Sequence, residues 1–102
     1  MNLILVYITN PTKAEANKIA RVLLKKHLIA CANIFPIESL YRWQGKIADE
    51  SEFVLIAKTK KENYNKVKKE VEKIHSYSIP CIIQIPAQAN EKYFEWLKGE
   101  VA

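Results

Sequence analysis

The stretch LIACANIFPIESLYRWQGKIADESEFVLIAKT, residues 28–59, reads as two long strands folded back at Gln44-Gly45. Residues 28–34 are apolar on both faces, the pattern of a strand covered on both sides. Beyond them the run turns polar and aromatic, through Glu38, Ser39, Tyr41, Arg42 and Trp43. The return run mirrors this, with Lys46, Asp49, Glu50 and Glu52 near the turn and an apolar FVLIA at its far end. Strands of about fourteen residues at about 3.3 Å each give a ribbon about 45 Å long. The helix expected before it, over residues 12–27, spans only about 24 Å at about 1.5 Å per residue. The distal half of the ribbon therefore lies beyond the chain's own helices, yet it carries Leu40, Tyr41, Trp43 and Ile47. An isolated two-stranded ribbon is marginal in water, so another copy of the chain is expected to cover it.

Composition narrows the class. At 102 residues the chain is long enough for one core without a metal or disulfide staple, and residues 1–102 read as a single domain. A hydrophobic share of 49% and a charged share of 26% are those of an ordinary globular protein. The N-terminal apolar run, residues 3–8, has no basic lead-in and is too short for a signal core or a membrane span. A cytoplasmic location with no membrane partner is the expectation. The net charge of +5 comes mostly from lysines set among glutamates, as in KKENYNKVKKEVEK. That pattern describes a solvated helix face better than a nucleic-acid site. Cys31 and Cys81 both lie in apolar runs and read as reduced and buried.

The remaining elements follow in order. LILVYIT, residues 3–9, is a central strand stopped by Asn10-Pro11. Thr12 and Glu15 match a capping box ahead of a helix whose Ala16, Ile19, Ala20, Leu23 and Leu24 recur at helical spacing. Pro36 has no N–H for a ladder and marks a bulge or an edge. Thr59 and Glu62 suggest a second capping box, before a helix that buries Tyr64, Val67, Val71 and Ile74. A turn-rich connection, residues 75–80, leads to a short strand over residues 81–85, closed by Pro86. Asn90 then caps a third helix with Tyr93, Trp96, Leu97 and Val101 facing inward. The order is an α+β, ferredoxin-like βαββαβ sandwich with an extra C-terminal helix and a long projecting β2-β3 ribbon. The first and third strands are expected at its centre.

LIACANI, then P-x-x-S-x-Y-x-W-x-G-K-I, then KT, H-x-Y-x-x-P and a terminal Y-x-x-W-L resemble the CutA family, the divalent-cation tolerance proteins. The match runs in register from Tyr7 to Leu97. The resemblance implies a ferredoxin-like fold, a tight homotrimer built from the projecting ribbons and a cytoplasmic location. Its named role is copper-type divalent-cation tolerance or metal homeostasis, with Cu2+ or another divalent cation as the ligand to test and no cofactor required. The family is also similar to PII-type signalling proteins in fold and assembly. This suggests an alternative, a trimeric sensor or scaffold that binds an anionic metabolite in inter-subunit clefts.

Candidate sites divide between these readings. Bacterial members described as copper-binding have a Cys on the first strand and paired His residues before a Pro-Tyr turn. Here those places hold Ile8 and Ile74-His75, and the turn is His75-Ser76-Tyr77. His75 is the one metal candidate that remains, against a turn-stabilising role for the same ring. Cys81 stands where many members have a carboxylate. The cleft candidates are Tyr41, Trp43, Glu50, Lys58 and Tyr77, and the family places the matching Trp, Glu and Lys between subunits. Lys58 ends an apolar run and must lead its ammonium to water, an anion or a carboxylate such as Glu50 or Glu52. Tyr41 and Trp43 either line a ligand pocket or pack the trimer, together with Pro36, Leu40 and Ile47 of the ribbon. No Ser/His/Asp or Cys/His spacing and no glycine-rich phosphate loop is present, so an enzyme is not expected. The third strand, ESEFVLIA, lacks the basic and glycine elements of an RNA-recognition strand.

Overall fold

Alternation along the first strand sets the frame. In the computed structural model, which describes residues 2–102, β1 (Asn2–Asn10) turns Ile4, Val6 and Ile8 to one face, where all three are buried. Helix α1 (Lys13–Lys25) lays Ala16, Ile19, Ala20 and Leu23 on that face, and α2 (Tyr64–Ile74) adds Val67 and Val71. β2 (Cys31–Trp43) and β3 (Lys46–Thr59) form the ribbon, β4 (Ile82–Gln88) follows α2, and α3 (Glu91–Glu100) ends the chain. The sheet order is β2-β3-β1-β4 with every pair antiparallel. This is the α+β ferredoxin-like arrangement, with β1 and β3 central as expected.

The ribbon turns where the sequence places it. Gln44 and Gly45 both have positive φ, 51° and 77°, as a two-residue type I′ hairpin requires. Pairing from Cys31↔Lys58 to Trp43↔Lys46 is unbroken, so Pro36 sits opposite Phe53 without a bulge and is accommodated because β2 is an edge strand. β1 stops at Asn10↔Phe53. From there outward β3 pairs with β2 alone, and the molecule extends 45 Å along its long axis against 23 and 21 Å across.

Several local expectations are corrected. Residues 28–30 lie in the connection between α1 and β2 and not in a strand covered on both faces. His27 has a φ of 57°, and the amides of His27 and Leu28 donate to the carbonyls of Leu24 and Leu23, a Schellman stop with Leu28 returned toward the core. β2 begins only at Cys31. Thr12 does accept from the Glu15 amide at 3.1 Å, but the Glu15 carboxylate leaves the helix end for Ser76. The second capping box does not form. The Thr59 hydroxyl donates to the Leu28 carbonyl at 2.7 Å, and a 3-10 turn, Lys61–Asn63, precedes α2. β4 runs through Pro86 to Gln88, again permitted by an edge position. Asn90 occupies the N-cap position of α3 without a side-chain bond. In α3 only Leu97 is fully buried, while Trp96 is exposed. Cys31 and Cys81 are free and half-buried, because each lies at the start of an edge strand or just before one.

Gly45 carries the turn through its left-handed backbone, and no side chain crowds the place where a Cβ would stand. Gly45→Ala is therefore expected to destabilise the protein by about 1 kcal/mol through backbone strain alone. Denaturant unfolding at fixed protein concentration measures it.

Candidate functional site

The period of two along a strand gathers the site. Ile37, Ser39, Tyr41 and Trp43 share one face of β2, and the register Ile37↔Glu52 and Ser39↔Glu50 brings both carboxylates to the same face of β3. Residues 76–81 cross in front of that face and close a cleft of about 730 Å³. Tyr7 and Thr9 of β1 form its inner end, and Trp43 lies at its outer end.

The crossing loop is braced at three points. The Tyr77 amide donates to His75 Nδ1 at 3.0 Å, so Nδ1 carries no proton, and Nε2–H donates to the Thr9 carbonyl at 2.8 Å. Glu15 at the start of α1 accepts from both the amide and the hydroxyl of Ser76, each at 2.9 Å. The Tyr77 ring packs tilted on His75, with centroids 4.8 Å apart, and its hydroxyl donates to Glu52 at 2.6 Å. Glu15 and His75 therefore hold the loop, and Tyr77 carries its position onto the ribbon.

Two phenols answer two carboxylates. Tyr41 donates to Glu50 in a short hydrogen bond. That bond, with the negative charge of Glu50 behind it, pushes the Tyr41 phenol up to about 12. The Tyr77 phenol is raised further, first by burial and then by its bond to Glu52. Burial likewise raises the Cys81 thiol, so this half-buried sulfur stays a thiol near neutral pH.

The structure thus brings Tyr41, Trp43, Glu50 and Tyr77 to one groove within a single copy. It does not bring Lys58 to them within one copy. Lys58 pairs with Cys31 and Leu5 in the body of the sheet, eight residues from Glu50, or about 26 Å along the strand. Its ammonium lies 5.6 Å from the centre of the Tyr93 ring. For a metal, the residues of one copy do not fit. Both ring nitrogens of His75 are engaged in the loop brace, and among the described residues no three His, Cys, Asp or Glu side chains gather as ligands.

Sequence reasoning missed two features. Glu15 reads as a capping residue, and nothing local reveals its tertiary use on Ser76. The second is the open face of the sheet, opposite α1 and α2. Tyr7 pairs with Ile83 and Leu5 with Ile85, and Phe35 stands on the same face through Val54, so a run of apolar side chains remains exposed there. The alternating isoleucines of IIQIPAQ carried that signal.

The profile of the CutA1 divalent ion tolerance protein family matches residues 4–100. The divalent-cation tolerance protein CutA of Archaeoglobus fulgidus is 47% identical over 97 residues, covering 94% of this chain and 95% of that one. A solved structure described as the periplasmic divalent cation tolerance protein CutA of that organism superposes with a TM-score of 0.95 at 43% identity, over 100% of both chains. CutA1 of Pyrococcus horikoshii gives a TM-score of 0.94 at 37% identity, over 97% of this chain and 98% of that one. Fold, ribbon and cleft define a small ferredoxin-like sandwich with a projecting two-stranded arm. The chain belongs to the CutA divalent-cation tolerance family.

A spectrophotometric titration of the five tyrosines tests the phenol–carboxylate pairs. Tyr41 is expected to ionise only near pH 12, and Glu50→Gln to return it toward the ordinary range. Because the folded value lies above the unfolded one, the contribution to stability is complete below about pH 10 and is lost as the pH rises through the folded value.

Proposed function

We propose that the protein serves divalent-cation tolerance as a cytoplasmic homotrimer, assembled through the projecting ribbon and the open sheet face. The observation that carries this reading is the apolar surface left uncovered in one copy. Leu40 is 71% exposed, Ile47 72% and Trp43 46%, on the arm that no helix of the same chain reaches. Burying a leucine or isoleucine of that kind is worth about 1.5–3 kcal/mol. Ribbon and sheet face together offer several such side chains to a second copy, with Pro36 at the base of the arm. The relatives are named for divalent-cation tolerance, which supports the same role here. No helix among the described residues is long and apolar enough to cross a membrane.

A cation bound directly, copper(II) or a similar ion, needs donors from more than one copy, because one copy gathers too few. His75 joins such a site only by releasing the Thr9 carbonyl or the Tyr77 amide. The alternative of an anionic metabolite in the cleft gains nothing from the lining, whose charged residues are all carboxylates. The reading is tested by calorimetric titration of copper(II) into protein whose mass is fixed by light scattering. Saturable binding by a trimer is the expected result. If His75→Ala abolishes it while the trimer persists, His75 is a ligand. A trimer without saturable binding removes direct metal binding from the proposal.

A further inference from the structure

The charge of the chain is not spread evenly. Residues 12–27 and 60–75, which hold α1, the 3-10 turn and α2, carry eleven of the 16 lysines and arginines but only four of the 11 carboxylates. The rest of the chain holds five cations against seven carboxylates, so the net charge of +5 belongs to the helix layer. Two of the layer's four carboxylates are already engaged. Glu15 accepts from Ser76, and Glu70 lies 2.7 Å from Lys26 and 3.7 Å from Lys73. Glu62 and Glu72 alone remain to answer the other cations.

Along the sequence these lysines read as a solvated face, and the fold adds that they share one surface. α1 and α2 pack on the same side of the sheet, and the start of α1 meets the residue just past the end of α2 through Glu15 and Ser76. Ile19, Ala20 and Leu23 turn to the sheet, which leaves Lys18, Arg21 and Lys25 on the outward side of α1. Val67 and Val71 likewise leave Lys66 and Lys69 outward on α2. All five are exposed, and none has an acidic partner among the described residues. The layer lies across the sheet from the apolar face assigned to contact between copies, so contact through that face leaves it uncovered.

Three features decide which polyanion suits this surface. No ring stands free on it, since α1 has no aromatic residue and Tyr64 of α2 is tied by its hydroxyl to the Ile82 carbonyl at 3.1 Å. Unstacked bases therefore find no platform here. Arg21 is the one arginine of the layer, and lysine lacks the planar fork that holds a phosphate at a fixed place. Two helices side by side also make a flat face, which meets a plane over its whole area and a rod such as a duplex only along a line. Lipid headgroups diffuse to meet flexible lysine stems and need no fixed donor geometry. We propose that the helix layer docks the protein on an anionic lipid surface, held by Lys18, Arg21 and Lys25 of α1 and by Lys66 and Lys69 of α2. The inference goes beyond the tolerance reading and depends on neither a metal site nor the number of copies assembled.

Flotation with vesicles of phosphatidylserine and phosphatidylcholine in a one-to-two ratio tests it on the intact assembly, with pure phosphatidylcholine vesicles beside them. Binding to the mixed vesicles at low salt, its loss at high salt and no binding to pure phosphatidylcholine are expected. Each basic side chain near such a surface is worth about fivefold in affinity, so a Lys18→Gln, Lys25→Gln double variant is expected to bind about twentyfold more weakly. A Lys92→Gln, Lys98→Gln double variant removes the same charge from α3 and is expected to bind like the parent. All four positions are exposed, so circular dichroism and light scattering of both variants are expected to match the parent protein. The proposal is overturned if the parent protein ignores the mixed vesicles, or if the two variants lose binding equally, because net charge alone then acts. It is also overturned if duplex DNA at equal phosphate concentration displaces the protein from the vesicles, because a nucleic acid is then the better partner. Copper binding moves none of these results, and loss of copper binding leaves them in place.

Discussion

β3 is supported on both sides for only part of its length, and the rest of the architecture follows from that. From Thr59 to Phe53 it lies between β1 and β2, with its core-facing residues under α1 and α2. Beyond Phe53, β1 has ended and β3 keeps only β2. Asn10 marks the boundary, where its side-chain amide donates to the carbonyls of Ile8 and Phe53 at 3.2 Å each. Everything outward of this point is a two-stranded arm, marginal alone, whose apolar side chains need a surface from elsewhere. The arm's inner face also forms one wall of the cleft.

The second wall comes from a part of the chain distant in sequence, and its placement links the helix layer to the cleft. α1 contributes Glu15, the end of α2 contributes His75, and both act on the two residues that follow His75. Tyr77 then meets Glu52 at the root of the arm. A neutral imidazole with one nitrogen accepting and the other donating is a directional brace, and it accounts for His75 without a metal. The two tyrosine–carboxylate pairs divide the acidic ribbon between them, the Tyr41 phenol held protonated chiefly by its hydrogen bond to Glu50 and the Tyr77 phenol chiefly by burial and then by its bond to Glu52.

What was legible in the sequence was set by local periodicity and chain length. The hairpin turn, the apolar stripes of α1 and α2, the central places of β1 and β3, and the excess length of the ribbon all follow from spacing alone. The misread places are those where a tertiary partner won over a local one. Glu15 and Thr59 each have the right neighbours for a capping box, but Ser76 and the Leu28 carbonyl take them. Pro86 reads as a stop only if β4 is not at an edge. His27 accepts a left-handed backbone that a histidine adopts more readily than most residues, which ends α1 and delays β2. Tyr41, Trp43 and Glu50 were visible as one face of a ribbon. The cleft itself was not, since residues 76–81 lie some 25 residues downstream of Glu52. Lys58 shares their face but not their place, because a strand carries eight residues about 26 Å.

The uncovered arm is proposed as the surface through which copies assemble. Its most direct measurement is the solution mass by light scattering of the parent protein and of a Leu40→Glu, Ile47→Glu double variant, over a range of concentrations. The expected result is a mass of three chains for the parent, and dissociation in the variant with the far-ultraviolet circular dichroism of the fold retained. A parent protein that stays a single chain at all concentrations would contradict it, as would a variant that remains a trimer.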